Sequence, residues 1–189
     1  MLKLFAKFVF AITGWTVYGK MPEGLKKAVI IAAPHTSYWD FFYARLAFSI
    51  IEMPLKVTVK KEVVNHPIMG WAVRGLGGIA IDRTPKKGSF KKKLSMVDAM
   101  ANLIHERDEL IMMVTPEGTR KRVKRWKSGF YRVAEQANVP IILGYLDYAK
   151  KHAGFGPIFY PTGDYDKDVE EIMDYYRNKT GKYPELGVF

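Results

Sequence analysis

The order of apolar segments predicts an α/β sandwich: a largely parallel central sheet flanked by helices, folded as a single domain over residues 1–189. Three observations carry this. Short apolar runs of strand length alternate with longer segments of helical period. A chain of 189 residues is long enough for one sizeable core and short for two. A hydrophobic content of 48% beside 26% charged residues is that of a folded globular protein.

The elements follow in order. Residues 1–18 carry Leu2, Leu4, Phe5, Phe8, Val9, Phe10, Ile12 and Trp15, with Lys3 and Lys7 four apart on one helical face. The longest uncharged run, 8–19, is shorter than the roughly 20 residues that span a bilayer. The segment therefore reads as a helix lying in a membrane interface, with packing on the domain core as the other reading. A secretory leader is disfavoured because no small-x-small cleavage site follows.

Residues 28–33 (A-V-I-I-A-A) form a continuous apolar run ending at Pro34, as a strand buried on both faces does. Thr36 and Ser37 are N-cap types for a helix through Asp40 to about Ile51. Pro54 stops it, and residues 56–60 (K-V-T-V-K) alternate as a strand. A short helix over 67–75 and a brief strand over 79–81, introduced by Gly77 and Gly78, come next. Phe90, Leu94, Val97, Ala101 and Ile104 recur at intervals of four and three, the signature of an amphipathic helix. Residues 110–114 are a strand, 129–137 a helix, 140–143 and 156–160 extended, and 165–178 a closing helix.

Two polar motifs sit directly after predicted strands: H-T-S-Y-W-D at residues 35–40 and P-E-G-T-R at 116–120. Arg83, in I-D-R-T-P, follows a third strand, and Lys60 ends another. In open α/β sheets, ligand sites gather beyond the carboxyl ends of strands, so His35, Arg83 and residues 117–120 are expected to converge although they are far apart in sequence. The H-x-x-x-x-D spacing by itself is weak, since 4 His and 19 acidic residues give about 0.4 such pairs by chance. Placement at a strand end lifts it. An imidazole takes a proton from an alcohol when a carboxylate holds its other nitrogen in the protonated form. Positions five apart on a helix lie about 140° apart, so His35 belongs in the loop and Asp40 in the first turn. Ser37 is a conceivable nucleophile, with capping the favoured role. P-E-G-T-R brings backbone N–H groups to an anion at a glycine, with an arginine fork two residues on.

The net charge of +11 predicts attraction to polyanions. Lys86, Lys87, Lys91, Lys92 and Lys93 form one basic run, and residues 120–127 (R-K-R-V-K-R-W-K) another. Nucleic acid is one reading, with Trp126 stacked on a base. The apolar N-terminus has no task in that reading, so anionic lipid is the expected surface and no nucleic acid is expected. The absence of cysteine excludes disulfides, thiolate metal sites and a thiol nucleophile. A non-catalytic binder of anionic membranes or nucleic acid is the alternative from a different class.

Four blocks occur in an order that resembles the lysophospholipid acyltransferase superfamily, the 1-acylglycerol-3-phosphate acyltransferases included. They are P-H-T-S-Y-W-D (34–40), G-G-I-A-I-D-R (77–83), T-P-E-G-T-R (115–120) and V-P-I (139–141). V-K-K-E-V at 59–63 and W-K-S-G at 126–129 resemble further family positions. The resemblance implies a glycerol-phosphate acyltransferase-like fold and transfer of an acyl group from an acyl-CoA or acyl carrier protein thioester to a lysophospholipid hydroxyl. It implies His35 as general base oriented by Asp40, with Arg83, Glu117, Gly118, Thr119 and Arg120 on the acceptor's glycerol phosphate and Lys60 nearby. No metal and no bound cofactor are implied. The expected location is peripheral, on the cytoplasmic face of the membrane. Pro34, Thr115 and Leu143-Gly144 depart from the usual pattern, which leaves the acceptor open among lysophosphatidate, an aminolipid and another alcohol.

Overall fold

A computed structural model describes residues 2–19, 21, 23–53, 56–60, 64–66, 69–75, 77–81 and 94–188. Helix α1 (Leu2–Thr13) leads into strand β1 (Thr16–Tyr18), β2 (Lys27–Ala32), α2 (Trp39–Ile50) and β3 (Lys56–Lys60). Then come α3 (Met69–Gly75), β4 (Gly78–Ile81), α4 (Met96–His105), β5 (Leu110–Val114) and α5 (Gly129–Ala137). The chain closes with β6 (Ile141–Asp147), β7 (His152–Phe159), α6 (Tyr165–Arg177) and a 3₁₀ turn, Pro184–Leu186. The described strands form one seven-stranded sheet in the order β1-β7-β6-β2-β5-β3-β4. Neighbours from β6 through β2, β5 and β3 to β4 run parallel; β7 is antiparallel to β6, and β1 is parallel to β7. The predicted α/β sandwich with a largely parallel sheet is the observed fold.

Strand β2 sits at the centre because it is apolar on both faces. Val29 and Ile31 join a cluster with α4, α5 and α6, including Ile104, Tyr131, Val133 and Ile172. Ala28 and Ile30 face the other way, against Phe48 of α2 and Met113 of β5. Fully burying side chains of this size stabilises the fold by about 1.5–3 kcal/mol each, so the central strands anchor both layers.

Helix α1 serves two environments. Ala6 and Phe10 are buried against Leu46 and Ala47 of α2, while Leu4, Phe8 and Ile12 stand exposed at 73%, 62% and 66%. The helix is shorter than the 1–18 expected. It ends at Thr13, Gly14 takes a positive φ of 75°, and Trp15 turns inward onto Tyr43 of α2 at 4.4 Å. Strand β1 then adds to the sheet edge. No helix among the described residues is long and apolar enough to cross a membrane.

Other expectations shift. Helix α2 begins at Trp39, and neither Thr36 nor Ser37 caps it; Tyr38 takes the N-cap position without a side-chain bond. Helix α4 begins at Met96, because Ser95 and Asp98 close a capping box there. Leu94 therefore precedes the helix, and Phe90 lies outside the described residues. Strand β6 extends past residue 143 to Asp147, and β7 starts at His152 rather than 156. Two glycines hid that start: a Cβ at Gly154 would lie 2.7 Å from the Tyr145 hydroxyl, and one at Gly156 would lie 2.3 Å from that of Tyr175. Glycine lowers strand propensity but admits these close approaches.

Candidate active site

The carboxyl ends of β6, β2 and β5 lie side by side at one end of the central strands, and the two polar motifs project from β2 and β5. The loop after β2 carries His35, whose Nδ1 lies 3.0 Å from Asp40 Oδ2. Asp40 is the second residue of α2 and is 7% exposed. The same oxygen accepts the backbone N–H groups of Thr36 at 2.8 Å and Ser37 at 2.9 Å. Asp40 thus ties the loop before α2 to the helix's own first turn. Ser37 Oγ instead accepts the N–H of Trp39 at 3.2 Å, so it is occupied in the turn. Asp40 Oδ1 accepts the hydroxyl of Tyr148 at 2.8 Å, from the turn after β6.

The second motif buttresses the first. Glu117 is 7% exposed, and its Oε1 accepts the His35 N–H at 3.0 Å. Burial pushes its carboxyl above the ordinary value, with the N–H donors of His35 and of Glu117 itself opposing. Its Oε2 is buried without a hydrogen-bond partner among the described residues. Gly118 has φ +64°, and a Cβ there would lie 2.7 Å from the Lys127 ammonium and 2.9 Å from two of its carbons. The lysine stem crosses the glycine closely. The Thr119 hydroxyl accepts the Lys121 N–H at 3.3 Å. The Arg120 guanidinium lies 3.6 Å from the centre of the Tyr38 ring, a cation–π contact that ties the two motif loops together.

The remaining expected residues are placed unequally. Lys60 closes β3, in register with Ile81 of β4; its side chain lies outside the described set. Arg83 and the basic run Lys86, Lys87, Lys91, Lys92 and Lys93 fall outside the described residues. Trp126 does not offer a stacking face: it is 3% exposed, against Phe130 at 6.2 Å and Tyr176 at 5.5 Å. Its neighbour Arg125 pairs with Asp166 at 2.6 Å.

His35 and Asp40 sit at an apolar cavity of about 680 Å³. Ile30, Phe41, Ala44, Phe48 and Phe155 line it on the α2 side, and Lys127 is among its few charged groups. Its size lies within the roughly 300–1,000 Å³ of small-molecule sites. The arrangement unites an imidazole, a carboxylate 3.0 Å from it, nearby cations and a hydrocarbon-lined space. Tyr148 and Lys127 were not singled out by the sequence. Lys127 lay inside a basic run, and Tyr148 would have stood just past a strand end had that strand been followed to residue 147.

The Acyltransferase family model matches residues 15–143. The chain belongs to that family. Among curated proteins it is 28% identical over 125 residues to the 1-acyl-sn-glycerol-3-phosphate acyltransferase of Pseudomonas aeruginosa, covering 62% of this chain and 43% of that one. It is 30% identical over 114 residues to the protein of that name from Streptococcus pneumoniae, covering 60% and 39%. The chain thus spans about two fifths of the length of these relatives. The crystal structure of the 1-acyl-sn-glycerophosphate acyltransferase from Thermotoga maritima superposes with a TM-score of 0.61 at 16% identity, over 92% of this chain and 74% of that one. That likeness concerns the fold.

Proposed function

We propose that the protein transfers a fatty acyl group from an acyl-CoA or acyl carrier protein thioester to a hydroxyl of a lysophospholipid, with 1-acylglycerol-3-phosphate as the favoured acceptor. The observation that carries this reading is the His35–Asp40 pair at 3.0 Å on the wall of an apolar cavity. The names of the curated relatives support the acceptor.

Asp40 accepts the Nδ1–H of His35, which leaves the Nε2 lone pair free. Nε2 takes the proton of the acceptor hydroxyl as that oxygen bonds to the thioester carbonyl carbon. The tetrahedral oxyanion then re-forms the carbonyl and expels the thiolate, and the imidazolium returns its proton to sulfur. Base catalysis of this kind contributes about a hundred- to ten-thousand-fold. Among the expected phosphate-binding residues, Arg120 is held flat on Tyr38, beside a Gly118 that Lys127 crosses. Thr119, Arg83 and Lys60 complete that set in the proposal. Glu117 acts from below by holding the backbone of His35. The apolar cavity takes the acyl chain, and the exposed face of α1 rests on the membrane, peripheral and on its cytoplasmic side.

The test is labelled palmitoyl-CoA with lysophosphatidate in mixed micelles, run beside His35→Ala. Product from the wild type and none from the variant is the expected result. No product with either thioester donor and a panel of lysolipids would sink the reading. The alternative of a non-catalytic basic binder has no matching observation, and the burial of Trp126 counts against base stacking.

A further inference from the structure

Tyr148 belongs to none of the sequence motifs, yet it completes the hydrogen bonding of Asp40. Oδ2 serves His35 Nδ1 and two backbone N–H groups, while Oδ1 has the Tyr148 hydroxyl at 2.8 Å. Turning about the last torsion, intrinsically broad for an sp³–sp² bond, carries both carboxylate oxygens together. A donor on Oδ1 therefore adds to the restraint of the contacts on Oδ2 and narrows the plane from which Oδ2 meets the imidazole.

The phenol is itself firmly held. Its ring meets Trp15 edge-on at 5.0 Å and Tyr43 edge-on at 6.0 Å. Its backbone N–H donates to the Thr180 carbonyl at 2.8 Å. From there the C-terminal segment continues onto the catalytic loop, where the Tyr183 N–H donates to Thr36 Oγ1 at 3.3 Å. Trp15, just past α1, and the C-terminal segment thus both hold Tyr148, the β6–β7 turn residue that reaches Asp40. Burial and the neighbouring Asp40 charge push the Tyr148 hydroxyl far above its ordinary value, so it stays protonated and remains a donor.

We propose that Tyr148 is a positioning residue for the His35–Asp40 pair, its hydroxyl holding Asp40 in the orientation that presents Oδ2 to His35 Nδ1. The kinetic consequence rests on the acyltransferase reading; the effect on the imidazole does not.

The test is Tyr148→Phe, which removes one oxygen and keeps the ring contacts that fold the turn. We expect kcat to fall about tenfold while KM for donor and acceptor stays within about twofold, as loss of a group acting in the transition state does. In an Asp40→Asn background the same substitution should lower the residual rate by less than about twofold, because paired residues couple. Separately, ¹⁵N resonances of the His35 ring report the tautomer without any turnover. The wild type should carry its proton on Nδ1, and Tyr148→Phe should lower that share. Equal losses in both backgrounds, or an unchanged tautomer in Tyr148→Phe, would overturn the proposal. A wild type with no transferase activity but the expected tautomer change would remove the acyltransferase reading and leave the positioning role standing.

Discussion

The Glu117 carboxylate holds the backbone N–H of His35 at 3.0 Å across 82 residues of chain. The second motif loop therefore sets where the first places its imidazole. Arg120 stacked on Tyr38 makes a second tie between the same two loops. Glu117, expected on the acceptor phosphate, also supports the loop that carries His35.

This support carries a pH signature. Burial raises the Glu117 carboxyl, so the folded protein holds that proton more tightly than the unfolded chain. Its contribution to stability is then full below the ordinary carboxyl value and is lost as pH rises through the raised one. Glu117→Gln keeps an acceptor for the His35 N–H and cannot ionise. Its stability relative to wild type should therefore rise from acid to neutral pH. Urea unfolding at several pH values from 4 to 8 measures this, and parallel curves would contradict it.

Gly181 lies where a side chain does not fit. A Cβ there would be 2.7 Å from Thr36 Cγ2 and 2.9 Å from its Oγ1. Thr36 donates its N–H to Asp40, so displacement reaches the dyad directly. Gly181→Ala should cost about 1–3 kcal/mol of stability by overpacking, and it should lower kcat as well. Gly75→Ala, with no atom within 4 Å of the added carbon, serves as the control. Unfolding and rate measurements on both variants decide the matter.

Ala44 lines the apolar cavity from α2. Replacing it with Phe fills space that the proposal gives to the acyl chain. Transfer from long-chain thioesters should drop severalfold relative to short ones, since added methylenes in a filled pocket each cost on the order of 1–3 kcal/mol. A donor panel from eight to eighteen carbons reads the shift, and an unchanged chain-length profile would place the chain elsewhere.

The outer face of α1 exposes Leu4 and Phe8 while Ala6 and Phe10 hold the helix to α2. Leu4→Glu with Phe8→Glu should weaken binding to anionic vesicles by at least about tenfold, because two large apolar contacts with lipid are lost. The unfolding midpoint should hardly move. Vesicle sedimentation measures the first and thermal unfolding the second. Equal binding of the double variant would leave the basic residues as the membrane contact.

The dyad was legible because it is local. The six residues from His35 to Asp40 at the end of an apolar run sufficed to place an imidazole in a loop and its carboxylate partner in a first helical turn. The buried strands of the parallel sheet followed the same logic, since runs such as 28–33 and 110–114 are apolar on both faces and need cover on both. Thr36 and Ser37 misled because a cap was read from residue type alone. The helix starts two residues after Ser37, with Tyr38 at the N-cap, while Asp40 reaches back to the N–H groups of Thr36 and Ser37 and holds both in the preceding loop.

The sequence by itself determined the sandwich and the His35–Asp40 pairing, which rest on periodicity and on contacts within a few residues, and the family, which rests on the resemblance of four motif blocks in order. Tertiary structure alone decided that Glu117 lies beneath His35, that Lys127 crosses Gly118, and that Tyr148 reaches Asp40 across 108 residues. It also turned β7 against β6, through glycines whose value lies in what packs over them. Contacts between distant segments depend on how layers stack, and no local pattern of residues encodes that geometry.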